Sequence, residues 1–92
     1  MMKSINREQY DVLTGLAYWR AEMIEARNTE GAEDDARRAE ETFFDLYADA
    51  LQLKTPLDVI RAVYTWASDR RRFLTEYTWQ AIERAGYRII AG

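Results

Sequence analysis

The sequence has no cysteine, no histidine, one proline and four glycines. Without cysteine there can be no disulfide, thiolate metal site or cysteine nucleophile, and nothing asks for an oxidising compartment, so a cytoplasmic location is expected. Without histidine the imidazole base, the imidazole metal ligands and a Ser-His pair are all missing. The glycines, at positions 15, 31, 86 and 92, never cluster into a loop that could cradle a phosphate. No stretch approaches the roughly 18 apolar residues of a membrane span, and MMKSINREQY lacks the apolar run of a signal peptide. These absences predict a chain that is not an enzyme and holds no cofactor and no metal.

Ala, Glu, Arg and Leu dominate what remains, and 92 residues suffice for one core. The expectation is a single all-α domain over 1–92. It is a bundle of three to four helices, near 6–27, 32–53, 56–69 and 71–85, that opens with an antiparallel hairpin and ends in a short extended tail. Asn6 and Gln9 have the spacing of a capping box, with Ile5 placed to staple onto Tyr10. From there Val12, Leu13, Leu16, Ala17, Trp19, Met23 and Ile24 share one half of a helix, which leaves Gly15 on the solvent side. Asn28 or Gly31 can end the helix in the left-handed conformation.

Ala32, Ala36, Ala39, Phe43, Leu46, Ala50 and Leu53 then alternate in steps of four and three. The alanines predict a tight end near the turn, and Phe43, Phe44 and Tyr47 a bulky end. Glu33 with Arg37, and Asp34 with Arg38, are four apart in the favourable order for surface ion pairs. Thr55 and Pro56, with Asp58 following, read as a threonine cap before a proline at the first helical position. Leu57, Val59, Ile60, Val63, Tyr64, Trp66 and Ala67 cover half of the third helix, and Phe73, Leu74, Tyr77, Ala81 and Ala85 return in the same phase. Arg70 and Arg71 would fall inside that apolar arc, which predicts a break near 68–71. Gly86, with Ile82 and Tyr87 around it, has the pattern of a Schellman cap, after which the tail folds back over the bundle or adds to a partner.

Few residues point to chemistry. Glu22 and Glu25 make an ExxE step similar to the first half of the magnesium site in MazG-like nucleotide pyrophosphohydrolases, but the second half, ExxD, has no counterpart: Glu41 and Asp45 are one residue too far apart. Charge is more informative. Residues 1–53 carry twelve Asp/Glu against six Lys/Arg, while 54–92 carry four against seven. Arg70, Arg71 and Arg72 make the second half mildly basic, yet a sequence pI near 4.9 argues against direct nucleic-acid binding. On the acidic half, Glu33, Asp34 and Asp35, with Glu30, Glu40 and Glu41, could imitate a phosphate backbone. Arg20 and Glu40 lie on facing arcs and predict an ion pair inside the hairpin. Tyr18 and Trp79 project away from their buried arcs, as interface anchors do.

The expected function is therefore that of a surface: a protein-binding module whose partner-binding residues are Tyr18, Glu33, Asp34, Asp35, Arg70, Arg71, Arg72 and Trp79. Its size and charge are those of small phage inhibitors of nucleic-acid-handling machines, such as anti-CRISPR proteins and DNA mimics, an analogy without sequence likeness. The partner would be a larger protein. The alternative is a homodimeric accessory subunit that buries the apolar tail and Trp79.

Overall fold

The first helix begins where its capping residues place it. In a computed structural model that describes residues 3–70 and 72–90, the Gln9 amide donates to Asn6 Oδ1 at 2.8 Å and the Asn6 amide to Gln9 Oε1 at 2.9 Å. The box opens α1, Arg7–Arg27. Ile5 ahead of it is buried, and Tyr10 packs against the same cluster. Two further helices follow, α2 (Glu33–Gln52) and α3 (Leu57–Ser68). A six-residue 3-10 segment, Arg72–Tyr77, then leads into the short α4, Thr78–Arg84.

The domain is helical, as its composition implies, with one addition at its ends. The segments β1 (Lys3–Ile5) and β2 (Tyr87–Ile89) pair in parallel, Lys3 opposite Tyr87 and Ile5 opposite Ile89. The tail therefore lies against the start of its own chain, and the Ile90 amide extends the ladder to the Ile5 carbonyl. Gly86, at φ +91, turns the chain out of α4, and Ile82 and Tyr87 on either side of the turn are both buried. Tyr87 also donates its hydroxyl to Asp58 Oδ1 at 2.9 Å, which ties β2 to the first turn of α3. Burial, then the hydrogen bond to Asp58 and its negative charge, hold the phenol above its ordinary pKa of 10.0.

The hairpin has α1 at the centre of the fold. It touches α2, α3, the 3-10 segment and α4, and so buries more than one stripe: Leu13, Leu16, Ala17, Ala21 and Met23 are all covered. That corrects the placement of Gly15. It faces α2, where a Cβ would stand 3.3 Å from Leu46 Cδ1. The absent side chain lets the two helices approach, as the alanines Ala39 and Ala50 do from the other side.

The Arg20–Glu40 pair is also corrected. Glu40 meets Arg27, at 3.4 Å, while Arg20 donates from Nε to Ser68 Oγ at 3.1 Å on α3 and lies over the rings of Phe43 and Tyr64. In a helix the Cα–Cβ bonds tilt toward the N-terminus, so residues directly opposite in an antiparallel hairpin lean apart. Arg27, two turns closer to the hairpin turn, leans back to meet Glu40. On the surface of α2, Arg37 bonds Asp34, three residues before it, instead of Glu33.

Two expectations about the third helix change. Thr55 does not cap it: the helix starts at Leu57 with Pro56 at its cap, and Thr55 Oγ1 is buried without a partner among the described residues. Thr55 serves instead to close α2, its amide reaching the Ala50 carbonyl while Lys54, at φ +59, takes the left-handed position of a Schellman turn. The predicted break near 68–71 is present, but 71–85 is not one helix. A 3-10 helix advances about 120° per residue against about 100° in an α-helix, so six residues rotate the face by about 120°. Phe73 and Tyr77, expected inside, are exposed, and Thr75 and Thr78 are buried in their place. Leu57 is exposed as well.

Candidate functional site

Two surfaces stand out, one at each sign of charge. The first is the hairpin tip. Ser68, at the end of α3, is level with Arg20, and α1 continues for seven residues beyond it, about 10 Å at 1.5 Å per residue. The molecule measures 48 Å along its longest axis. Gly31 at φ +84 makes the turn between the arms. Glu25, Glu30, Glu33, Asp34 and Asp35 are exposed there. The last three occupy the first turn of α2, where Ala32 offers no capping side chain and the positive end of the helix dipole favours anions. Between the arms, Trp19, Glu22, Glu25, Ala26, Asp35 and Arg38 line an open groove of about 400 Å³. Among the described residues no group of three or more carboxylates converges as metal ligands would.

The second surface is built where α3 ends and α4 packs beside it. Arg70, just past the helix, turns back so that its guanidinium lies 4.0 Å from the centre of the Trp66 ring. Arg84, from α4, reaches the same ring at 5.4 Å. The indole Nε1 is buried and has no hydrogen-bond partner among the described residues. Trp66, Arg70, Leu74, Tyr77, Gln80 and Arg84 surround an open hollow of about 400 Å³. A second hollow, of about 320 Å³, shares Trp66, Arg70 and Arg84 and adds Thr65 and Asp69. Trp79, Gln80, Glu83 and Arg84 line a third.

The structure therefore brings Arg70 and Trp79 to adjoining hollows joined through Arg84, and sets Glu33, Asp34 and Asp35 together at the tip. Tyr18 stands on α1, exposed, edge-on to Trp19 with centroids 5.2 Å apart, and lines none of these hollows. Arg71 and the side chain of Arg72 lie outside the described residues. Trp66 and Arg84 are the members that sequence reasoning missed as a site. The four-residue spacing of Trp66 and Arg70 is a usable signal. Arg84 has none, because the packing of α4 on α3 brings it there.

The chain matches no protein-family model, no curated protein and no solved structure. Geometry and chemistry alone carry the functional reading.

Proposed function

We propose that the protein is a non-catalytic binding module, a small inhibitor or regulator that docks on a larger protein and blocks it. The observation that carries this reading is the α3–α4 surface, where Tyr77 and Trp79 are exposed (46% and 39%) beside Arg70 and Arg84. Trp, Tyr and Arg are the side chains that dominate binding energy at protein interfaces. A nucleic-acid-handling partner is favoured by the tip, where Glu25, Glu30, Glu33, Asp34 and Asp35 expose five carboxylates.

Affinity capture with the tagged chain tests the proposal. It expects a larger protein to be retained by the wild type and released by Tyr77→Ala combined with Trp79→Ala. Capture of the chain by itself alone would refute it and favour self-association. That second reading has its own observation: Phe44 and Leu51 are exposed (57% and 45%) on one flank of α2, with Tyr47 half-buried beside them. Light scattering across a concentration series would detect the dimer.

A further inference from the structure

We propose that the hollow lined by Trp66, Arg70 and Arg84 is a carboxylate-binding site, filled by a Glu or Asp side chain of the protein partner. The inference rests on the reading of the chain as a protein-binding module and says what group that surface takes.

Three observations converge. The buried indole N–H of Trp66 lacks an acceptor among the described residues, although buried donors in folded proteins almost always have one. Two guanidinium groups lie over that same ring. Stacking leaves the in-plane N–H donors of an arginine free to grip a planar anion with two parallel bonds. Arg84 makes no ion pair among the described residues, and Arg70 donates a long hydrogen bond, 3.3 Å, to the adjacent Asp69 carbonyl. The charge of the hollow is also lopsided, with two cations and no carboxylate among its lining residues.

The walls favour a carboxylate over a phosphate. Leu74, Tyr77 and the Trp66 ring offer apolar surface to the stem of an acidic side chain and its neighbours. Asp69 in the adjoining hollow and Glu83 beside Arg84 offset part of the positive charge.

The test reads the indole N–H resonances of the ¹⁵N-labelled protein, with the Trp66 peak identified by its loss in Trp66→Phe. The probes are the blocked peptide acetyl-Leu-Glu-Leu-amide, its Gln counterpart, and inorganic phosphate. The Glu peptide is expected to move the Trp66 peak saturably, and the Gln peptide and phosphate to bind at least about ten-fold more weakly. Arg84→Gln, at an exposed position, should weaken the Glu peptide by a similar factor while the peak of Trp19, in the distant hairpin groove, keeps its place. A Trp66 peak unmoved by millimolar Glu peptide overturns the proposal. So does equal binding of the Gln peptide or of phosphate. Because the titration uses the chain alone, a responding Trp66 peak sustains the carboxylate site even where affinity capture returns no larger protein.

Discussion

Gln9 concentrates three hydrogen bonds in one buried side-chain environment, and replacing its amide by a carboxylate separates them. Its Oε1 accepts from the Asn6 amide, its own amide donates to Asn6 Oδ1, and its Nε2 donates to the Leu53 carbonyl at 2.9 Å, 44 residues away. The last bond fastens the start of α1 to the end of α2. Gln9→Glu keeps both halves of the capping box and removes only that bond, setting a carboxylate oxygen against a carbonyl at a site 9% exposed. Loss of the bond costs about 1 kcal/mol and the unpaired buried charge about 1–2 kcal/mol more, offset by up to about 1 kcal/mol from a negative charge at a helix N-terminus. The net is about 2 kcal/mol. For a domain of this size that lowers Tm by about 8–16 °C at pH 7.

Thermal unfolding followed by circular dichroism gives the number, and pH gives the signature. In the fold the ionised form of the introduced carboxyl is disfavoured, so it titrates above its unfolded value. The penalty is full above the folded pKa and disappears below the unfolded one, where the protonated acid regains an O–H donor for Leu53. The gap between Gln9→Glu and wild type should therefore close in acid, whereas the gap for Gln9→Ala should not. Equal Tm values for Gln9→Glu and wild type at pH 7 would show that the α1–α2 tie is not made.

Other consequences are simpler. Lys54→Gly should raise stability by about 1 kcal/mol, because it places glycine at the left-handed φ of +59; an unchanged or lower denaturant midpoint would contradict this. Thr55→Val removes a buried hydroxyl without a partner among the described residues, so the variant should be as stable as wild type or more stable by about 1 kcal/mol in urea unfolding. Tyr87 has its phenol pKa raised in the fold, so its contribution is full below the unfolded value near 10 and is lost as pH rises through the folded value. Wild-type stability should fall across that alkaline window, and Tyr87→Phe, less stable at neutral pH, should show a flatter profile there.

Much of the scaffold is legible in the sequence because it is written in local signals. The Asn6–Gln9 box, the Gly31 turn, the heptad through Ala39, Phe43 and Ala50, and the Gly86 cap each depend on residues within a few positions of one another, and all are present. The failures share a cause of the opposite kind. A single apolar arc misplaces Gly15 because α1 is packed on several sides. It misplaces Phe73 and Tyr77 because the 3-10 segment changes the period on which the arc is drawn. Arg20 bonds Ser68 on α3, a partner that no pairwise reading of the hairpin could supply. The parallel pairing of β1 with β2 joins segments more than 80 residues apart, and the first of them is too short to carry a pattern.

The candidate site divides along the same line. Charge and helical phase pick out Arg70 and Trp79, and the adjoining hollows contain them. What joins them is Arg84 and the Trp66 indole, which meet only through the packing of α4 against α3.

Calorimetric titration of the captured partner decides whether the protein acts through its α3–α4 surface, with three chains compared: wild type, Tyr77→Ala combined with Trp79→Ala, and Phe44→Ala on the outer flank of α2. The double variant, with its helical circular dichroism intact, is predicted to bind at least about 30-fold more weakly, the loss expected when an interface anchor worth about 2 kcal/mol is removed, and Phe44→Ala is predicted to bind as wild type does. Unchanged affinity in the double variant together with lost binding in Phe44→Ala would contradict the account and move the functional surface to α2.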